Sequence, residues 1–410
     1  VIDRQQAEQL AEVWARRDSR RLGHECTPMV SEFDLGYVIF TAVGAEARAV
    51  PGDLPTVVVD KESGQVSTWP RVPTQVVEEM YRSSRPPGPQ PPRTVDPASQ
   101  LLREIRRLPT PGTAAHLTVD GHLHIAFGAK GDVDLDHHPL VRAYLAELPS
   151  GHLARGGDRH AELIVVSDVL HHYDHQRAAN GQPPLTMDQA RALFEAARFE
   201  CHRIREPGDP AGGLADRACD SCVNFLVHFN VLPWSDLAFT REWRPEPQPP
   251  IHPDRFPPVV ASTLMDAGWE DSEFNEALSA GAIAETCEVI GQAHRHQPFP
   301  AAAQALTAFP GIMTRRRGPG EDVWVSRFTT NPLRSAHTAD TLADFAAVLG
   351  VRLFPIGSER QESILAVDEY GRIFALDQAG EWFLGPDVDA ALTTLLLGRA
   401  PARVRDDGTW

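Results

Sequence analysis

Arg159-His160-Ala161-Glu162, followed much later by Cys219-Asp220-Ser221-Cys222, sets one imidazole, two thiols and one carboxylate at the starts of two candidate helices. Leu163, Val166, Leu170 and Tyr173 fall on one face of the first helix; Cys222, Phe225, Leu226 and Phe229 mark one face of the second. One imidazole and two thiolates leave the fourth position of a tetrahedral zinc open to water, as a catalytic zinc requires. A helix N-terminus favours the thiolate form through its free N–H groups and its dipole. Glu162 is two residues from His160, too near in the chain to approach a metal from the same side, and is free to face the bound water. Taken alone, C-x-x-C is also half of a structural zinc site or a redox pair, and H-A-E says less still. Their order, their placement at two helix starts and the hairpin that precedes them carry the reading.

That order, H-x-E and then C-x-x-C, is the signature of zinc-dependent base deaminases. The expected ligands are His160, Cys219 and Cys222, with Zn2+ as cofactor. The bound ion lowers the pKa of its water, and Glu162 takes the proton and returns it to the ring nitrogen and the departing amine. Other groups are weighed against blander roles. His171 and His175 stand at i, i+4, but His172 occupies the position where a zincin needs glutamate, so a solvated helix face is expected. Asp136-His137-His138 reads as loop, and Cys201 and His202 as strand residues that are not ligands. Phe127 ends a strand near the expected pocket and is the candidate aromatic wall for the substrate ring, against an ordinary core role. Arg315-Arg316-Arg317, beside Gly318-Pro319-Gly320, reads as an exposed turn.

The chain has 410 residues, 42% of them apolar, and a formal charge of −17. That length suggests two or three domains, and that charge argues against affinity of the whole surface for nucleic acid phosphates. No run is apolar for long enough to cross a bilayer, so no membrane partner and a cytoplasmic location are expected. Five scattered cysteines do not read as a disulfide framework.

Proline-rich stretches at 84–97 and 244–256 read as linkers, because proline neither continues a helix nor donates to a sheet. They divide the chain into segments at 1–83, 98–243 and 257–410. The first opens with a helix carrying Ala7, Leu10, Ala11 and Trp14. It continues with strands at Tyr37–Val43, Thr56–Val59 and Val66–Trp69, and closes with a helix from Val72 to Arg82. The second begins with a helix around Leu101–Leu108. A hairpin follows, Leu117–Val119 and Leu123–Phe127 alternating around Asp120-Gly121, then a strand at Arg198–Arg205. The third reads as a helix from Pro257 to Ala267, strands at Leu353–Gly357, Ile364–Val367 and Ile373–Leu376, and a helix at Val388–Leu397 that ends on Gly398.

On Arg159–Glu162, Arg205-Glu206-Pro207-Gly208-Asp209-Pro210 and Cys219–Cys222, the middle segment resembles the YwqJ-like deaminases of polymorphic toxin systems. The resemblance implies an α/β fold, with a cytidine-deaminase-like mixed sheet and helices on both faces, between two α+β domains. The family usually places proline before the first cysteine, where this chain has Ala218. Glu32–Tyr37, Val59–Gly64 and Ser67–Pro70 look like a YrhB-like immunity domain. Phe354–Gly357, Ala366–Arg372 and Leu384-Gly385 resemble a SUKH-type immunity domain. The resemblances imply hydrolytic deamination of a nucleobase, free or within a nucleoside, nucleotide or single strand. Flanking modules would restrain or position the enzyme through intramolecular contact. The alternative is a non-catalytic immunity or interaction protein that uses the deaminase fold as a scaffold.

Overall fold

A computed structural model describes residues 2–22, 24–43, 56–85, 91–249, 254–270, 272, 274–360 and 362–410. Parts of both proline-rich stretches, 86–90 and 250–253, lie outside the described residues. The chain forms two compact units. One comprises 1–107, 133–137 and 171–183; the other comprises 108–132, 138–170 and 184–410.

In the first unit the helix α1 (Arg4–Leu22) precedes an antiparallel sheet in sequence order, β1 (Cys26–Glu32), β2 (Gly36–Val43), β3 (Thr56–Asp60) and β4 (Val66–Trp69). Helices α2 (Thr74–Ser84) and α3 (Pro97–Arg106) follow. Successive strand side chains point to opposite faces, so each face builds its own core. Tyr37, Ile39, Val57 and Val59 pack with Leu10 and Trp14 of α1 and Ala98 of α3. Val38 and Val58 pack with Val77 and Tyr81 of α2. The sequence reading starts α2 at Val72, but Pro73 precedes its first turn and the helix begins at Thr74. Strand β1, absent from that reading, has only Cys26 fully buried, so it lacks a clean alternation.

The second unit contains two sheets. Strands β5 (Gly112–Val119), β6 (His122–Phe127), β7 (Arg198–Ile204) and β8 (Gly213–Leu214) stand in the order β6-β5-β7-β8. Asp120 and Gly121, both at positive φ, close the β5–β6 hairpin in the register expected from their turn dipeptide. Helices α4 (Pro139–Glu147), α5 (Ala161–Ala179), α6 (Met187–Phe194) and α7 (Asp220–His228) complete this part. Nearly every residue of α5 from Ala161 to Leu170 is buried, including Ile164, Val165 and Val169 off the expected stripe. A helix that is apolar on all sides sits inside its domain.

The remainder holds α8 (Pro258–Asp266), α9 (Asn275–Glu288), α10 (Pro300–Ala308), β9 (Phe328–Thr329), α11 (Ala339–Leu349), β10 (Leu353–Glu359), β11 (Ser363–Asp368), β12 (Ile373–Asp377), β13 (Gly380–Gly385), α12 (Val388–Leu397) and β14 (Ala402–Val404). Its six-stranded sheet runs β14-β13-β12-β11-β10-β9. Phe354, Leu365, Val367 and Ile373 pack with α8, α10 and α12 on one face; Ile364, Ala366 and Phe374 pack with Leu342 and Phe345 of α11 on the other. The chain is thus mixed α/β, and every described strand ladder is antiparallel. No helix among the described residues is long and apolar enough to cross a membrane.

Candidate active site

A short 3₁₀ turn, Gly157–Arg159, leads into His160, whose extended backbone places it just before α5. His160 O accepts from the N–H groups of Leu163 and Ile164, so the ring is fixed to the first turn of a buried helix. Cys219 is the N-cap of α7, and Cys222 lies one turn in. Ala218, where the family usually has proline, is buried, and Cys219 keeps the extended backbone that starts the helix.

These elements bring the three expected ligands together. His160 Nδ1 lies 3.3 Å from Cys222 Sγ and 3.6 Å from Cys219 Sγ, and all three residues are buried. Zinc bonds of about 2.3 Å to sulfur and 2.0–2.1 Å to nitrogen at tetrahedral angles imply an N···S edge of about 3.6 Å. The donor set and its spacing therefore fit a zinc ion. Cys219 is held well below its usual pKa, chiefly by a hydrogen bond from the Cys222 thiol and then by His160, against the cost of burial. Burial and the Cys219 thiolate push Cys222 up. Burial lowers His160, but the Cys219 thiolate outweighs it and raises the ring to about 10.

Glu162 is 1% exposed, and burial is the main cause that raises its pKa. The Cys201 thiol donates to its Oε1 at 3.8 Å, so a residue read as plain strand is in fact a neighbour of this carboxylate. Its other oxygen accepts from Gln378 Nε2 at 3.3 Å, while Gln378 Oε1 accepts from Ala161 N at 3.0 Å. Gln378 lies in the β12–β13 turn, in the segment where the sequence shows no catalytic grouping.

The turn is built into its place. A Cβ at Gly128 would stand 2.5 Å from Gln378 O, and one at Gly156 would stand 2.6 Å from the Trp382 ring. Arg155, whose side chain is 9% exposed, donates to Asp377 Oδ2 at 2.9 Å and to Glu359 Oε2 at 2.8 Å. Glu206, in the middle segment's Arg205–Pro210 motif, accepts from Thr341 N at 2.6 Å in the first turn of α11. The cavity beside the ligands, shared by His160, Cys219, Arg360, Glu362 and Gln378, holds about 40 Å³. Small-molecule sites span roughly 300–1,000 Å³. Removing one partner of a buried ion pair costs about 3–5 kcal/mol. Arg155→Ala should therefore speed amide hydrogen exchange at Asp377–Gly380 well before the rest of β12 and β13; unchanged protection there would show that Arg155 does not hold the turn.

Phe127 is 43% exposed at the end of β6 and is not among the residues lining that cavity. His171 and His175 are partly exposed, and His171 Nε2 contacts Asp136 O at 3.0 Å. Asp136–His138 is loop, but His137 and His138 are buried, and His138 Nδ1 caps α4 by accepting from Leu140 N. The arginine run is not uniformly exposed. Arg316 is buried and donates to Leu396 O, because the loop it stands on packs against the end of α12.

Three family models match the chain. Residues 5–88 match the Immunity protein 35-like domain, 96–231 the YwqJ-like deaminase and 256–398 the SUKH-3 immunity protein. The first segment, expected to be YrhB-like, is thus matched as an immunity domain under the 35-like description. No curated protein and no solved structure matches the chain. The chain carries, in order, an Immunity protein 35-like domain, a YwqJ-like deaminase domain and a SUKH-3 immunity domain.

Proposed function

We propose that the chain is a zinc-dependent hydrolytic deaminase of a nucleobase, kept closed by its own SUKH-3 domain. The observation that carries this reading is Gln378, whose carboxamide bonds Glu162 and Ala161 N beside the His160, Cys219 and Cys222 donors. A carboxamide presents a donor and an acceptor side by side, as an aminated ring edge does with its amine and ring nitrogen.

His160, Cys219 and Cys222 would hold the ion, which would supply an acidified water when bound. Glu162 is the proton carrier. Its raised pKa suits a group that must both take and give a proton. Glu162 would take the proton that this water gives up as its oxygen adds to the ring carbon, and would pass that proton to the ring nitrogen. A second transfer to the exocyclic amine lets the C–N bond break and ammonia leave, with a carbonyl remaining on the ring. Burial of Glu162 keeps bulk water from short-circuiting these transfers.

The purified chain is expected to contain one zinc ion, and Cys219→Ala or Cys222→Ala to lose it by elemental analysis. Stoichiometric zinc in both variants would put the metal elsewhere. Screening ammonia release from nucleobases, nucleosides, nucleotides and single strands, with the β12–β13 turn loosened, tests the reaction itself. The rival reading, a silent interaction protein, gains from the closed cavity, and it predicts no ammonia from any substrate in a zinc-loaded, opened chain.

A further inference from the structure

A second cavity, of about 580 Å³, lies beside the first and is lined by Arg203, Arg217, Arg315, Arg327, Arg334 and Arg360, with Asp216 the single acid among the described lining residues. Six arginines border this cavity in a chain whose net charge is −17. Nearby acids offset only part of this. Asp266 pairs with Arg315 at 2.9 Å, Asp220 is shared by Arg217 and Arg360, and Glu362 pairs with Arg203 at 4.0 Å. The side chains of Arg327 and Arg334 have no ion pair or hydrogen bond among the described residues. The buried Nε of Arg203 also lacks a hydrogen-bond partner. Arg327 is pulled below its usual pKa by partial burial and by the charges of Arg360, Arg317 and Arg217, so the crowding is felt on the protein's own groups.

Planar guanidinium forks match the oxygens of a phosphate, and several of them facing one concavity suit a polyanion. The volume falls within the range of small-molecule sites. The cavity also adjoins the metal donors, because Arg360 lines both cavities and Arg217 lies just before Cys219 on the same approach to α7. Arg360 is itself held at φ +52, a conformation that few non-glycine residues take.

We propose that this cavity binds the phosphate groups of a nucleotide-like ligand, a site separate from the metal donors and formed jointly by the deaminase and SUKH-3 parts of the second unit. The proposal rests on the deaminase reading only for the nucleoside half of that ligand; the phosphate half follows from the arginines.

The test is calorimetric titration of the full, zinc-loaded chain with inorganic pyrophosphate, CTP, a short oligo(dT) strand and citrate. Pyrophosphate and CTP are expected to bind, with affinity falling as salt rises. Arg327→Glu/Arg334→Glu, a double variant of two side chains that hold nothing else, should weaken both at least tenfold. Oligo(dT) binding more tightly than CTP would support the site and assign its phosphate source to a nucleic acid backbone. Citrate binding as tightly as pyrophosphate, equal affinity in the double variant, or no binding at millimolar pyrophosphate and CTP would each overturn the proposal. Glu162→Ala should leave this binding unchanged, and a zinc-loaded Gln378→Ala chain that binds phosphate but releases no ammonia would sink the deaminase reading alone.

Discussion

Gln378→Ala is expected to raise ammonia release by the intact chain by roughly 10- to 100-fold. The substitution removes the bonds from residue 378 to Glu162 and to Ala161 N. Hydrogen bonds to a charged group contribute about 1.5–3 kcal/mol, and each 1.4 kcal/mol is a factor of ten in the balance between closed and open forms. A second variant reaches the same end from the deaminase side. Gly128→Ala puts a Cβ 2.5 Å from the carbonyl oxygen of Gln378, a backbone atom that cannot turn aside as a flexible side chain would. Both variants should also speed hydrogen exchange at Asp377–Gly380. Faster exchange without turnover would mean that the turn is a true closure over a site with no catalytic power. Protection and turnover both unchanged in zinc-loaded Gln378→Ala and Gly128→Ala would remove the turn from any restraining role.

Glu162→Ala, made in the Gln378→Ala chain so that there is turnover to lose, should retain zinc and fold while activity falls by a factor on the order of 10²–10⁴. The carboxylate moves a proton at each stage of the reaction. Glu162→Gln separates charge from shape: it keeps the size and the acceptor for the Cys201 thiol but cannot take a proton. Near-normal turnover in either variant would take Glu162 out of the chemistry. Loss of zinc in Glu162→Ala would instead make it a ligand.

The ligand trio was legible in the sequence because each member is tied to a local signal. His160 precedes a helix start, and Cys219 and Cys222 share the first turn of another, so their mutual approach needs only that the two helix starts meet. The β5–β6 hairpin was legible for the same reason, since Asp120-Gly121 specifies its own turn. Strands β13 and β14 and helices α9 to α11 were not, because runs such as Pro300–Ala308 carry no strong amphipathic stripe and take their place from packing against the sheet.

Gln378 belongs to what only the tertiary structure decided. In sequence it is one polar residue in a turn between two strands, with no periodicity, charge or motif to mark it. Its meaning comes from Gly128 and Gly156, which leave room for the turn, and from Arg155, whose buried charge demands Asp377 and Glu359 as partners. The arginine cavity is of the same kind. Arg203 and Arg217 stand far from Arg315, Arg327, Arg334 and Arg360 in the chain, and only the packing of two domains gathers them. Local spacing can specify a group of ligands on neighbouring helix ends. The placing of a side chain from one domain at the catalytic carboxylate of another depends on shape and charge along the whole surface between them, which no single stretch of sequence contains.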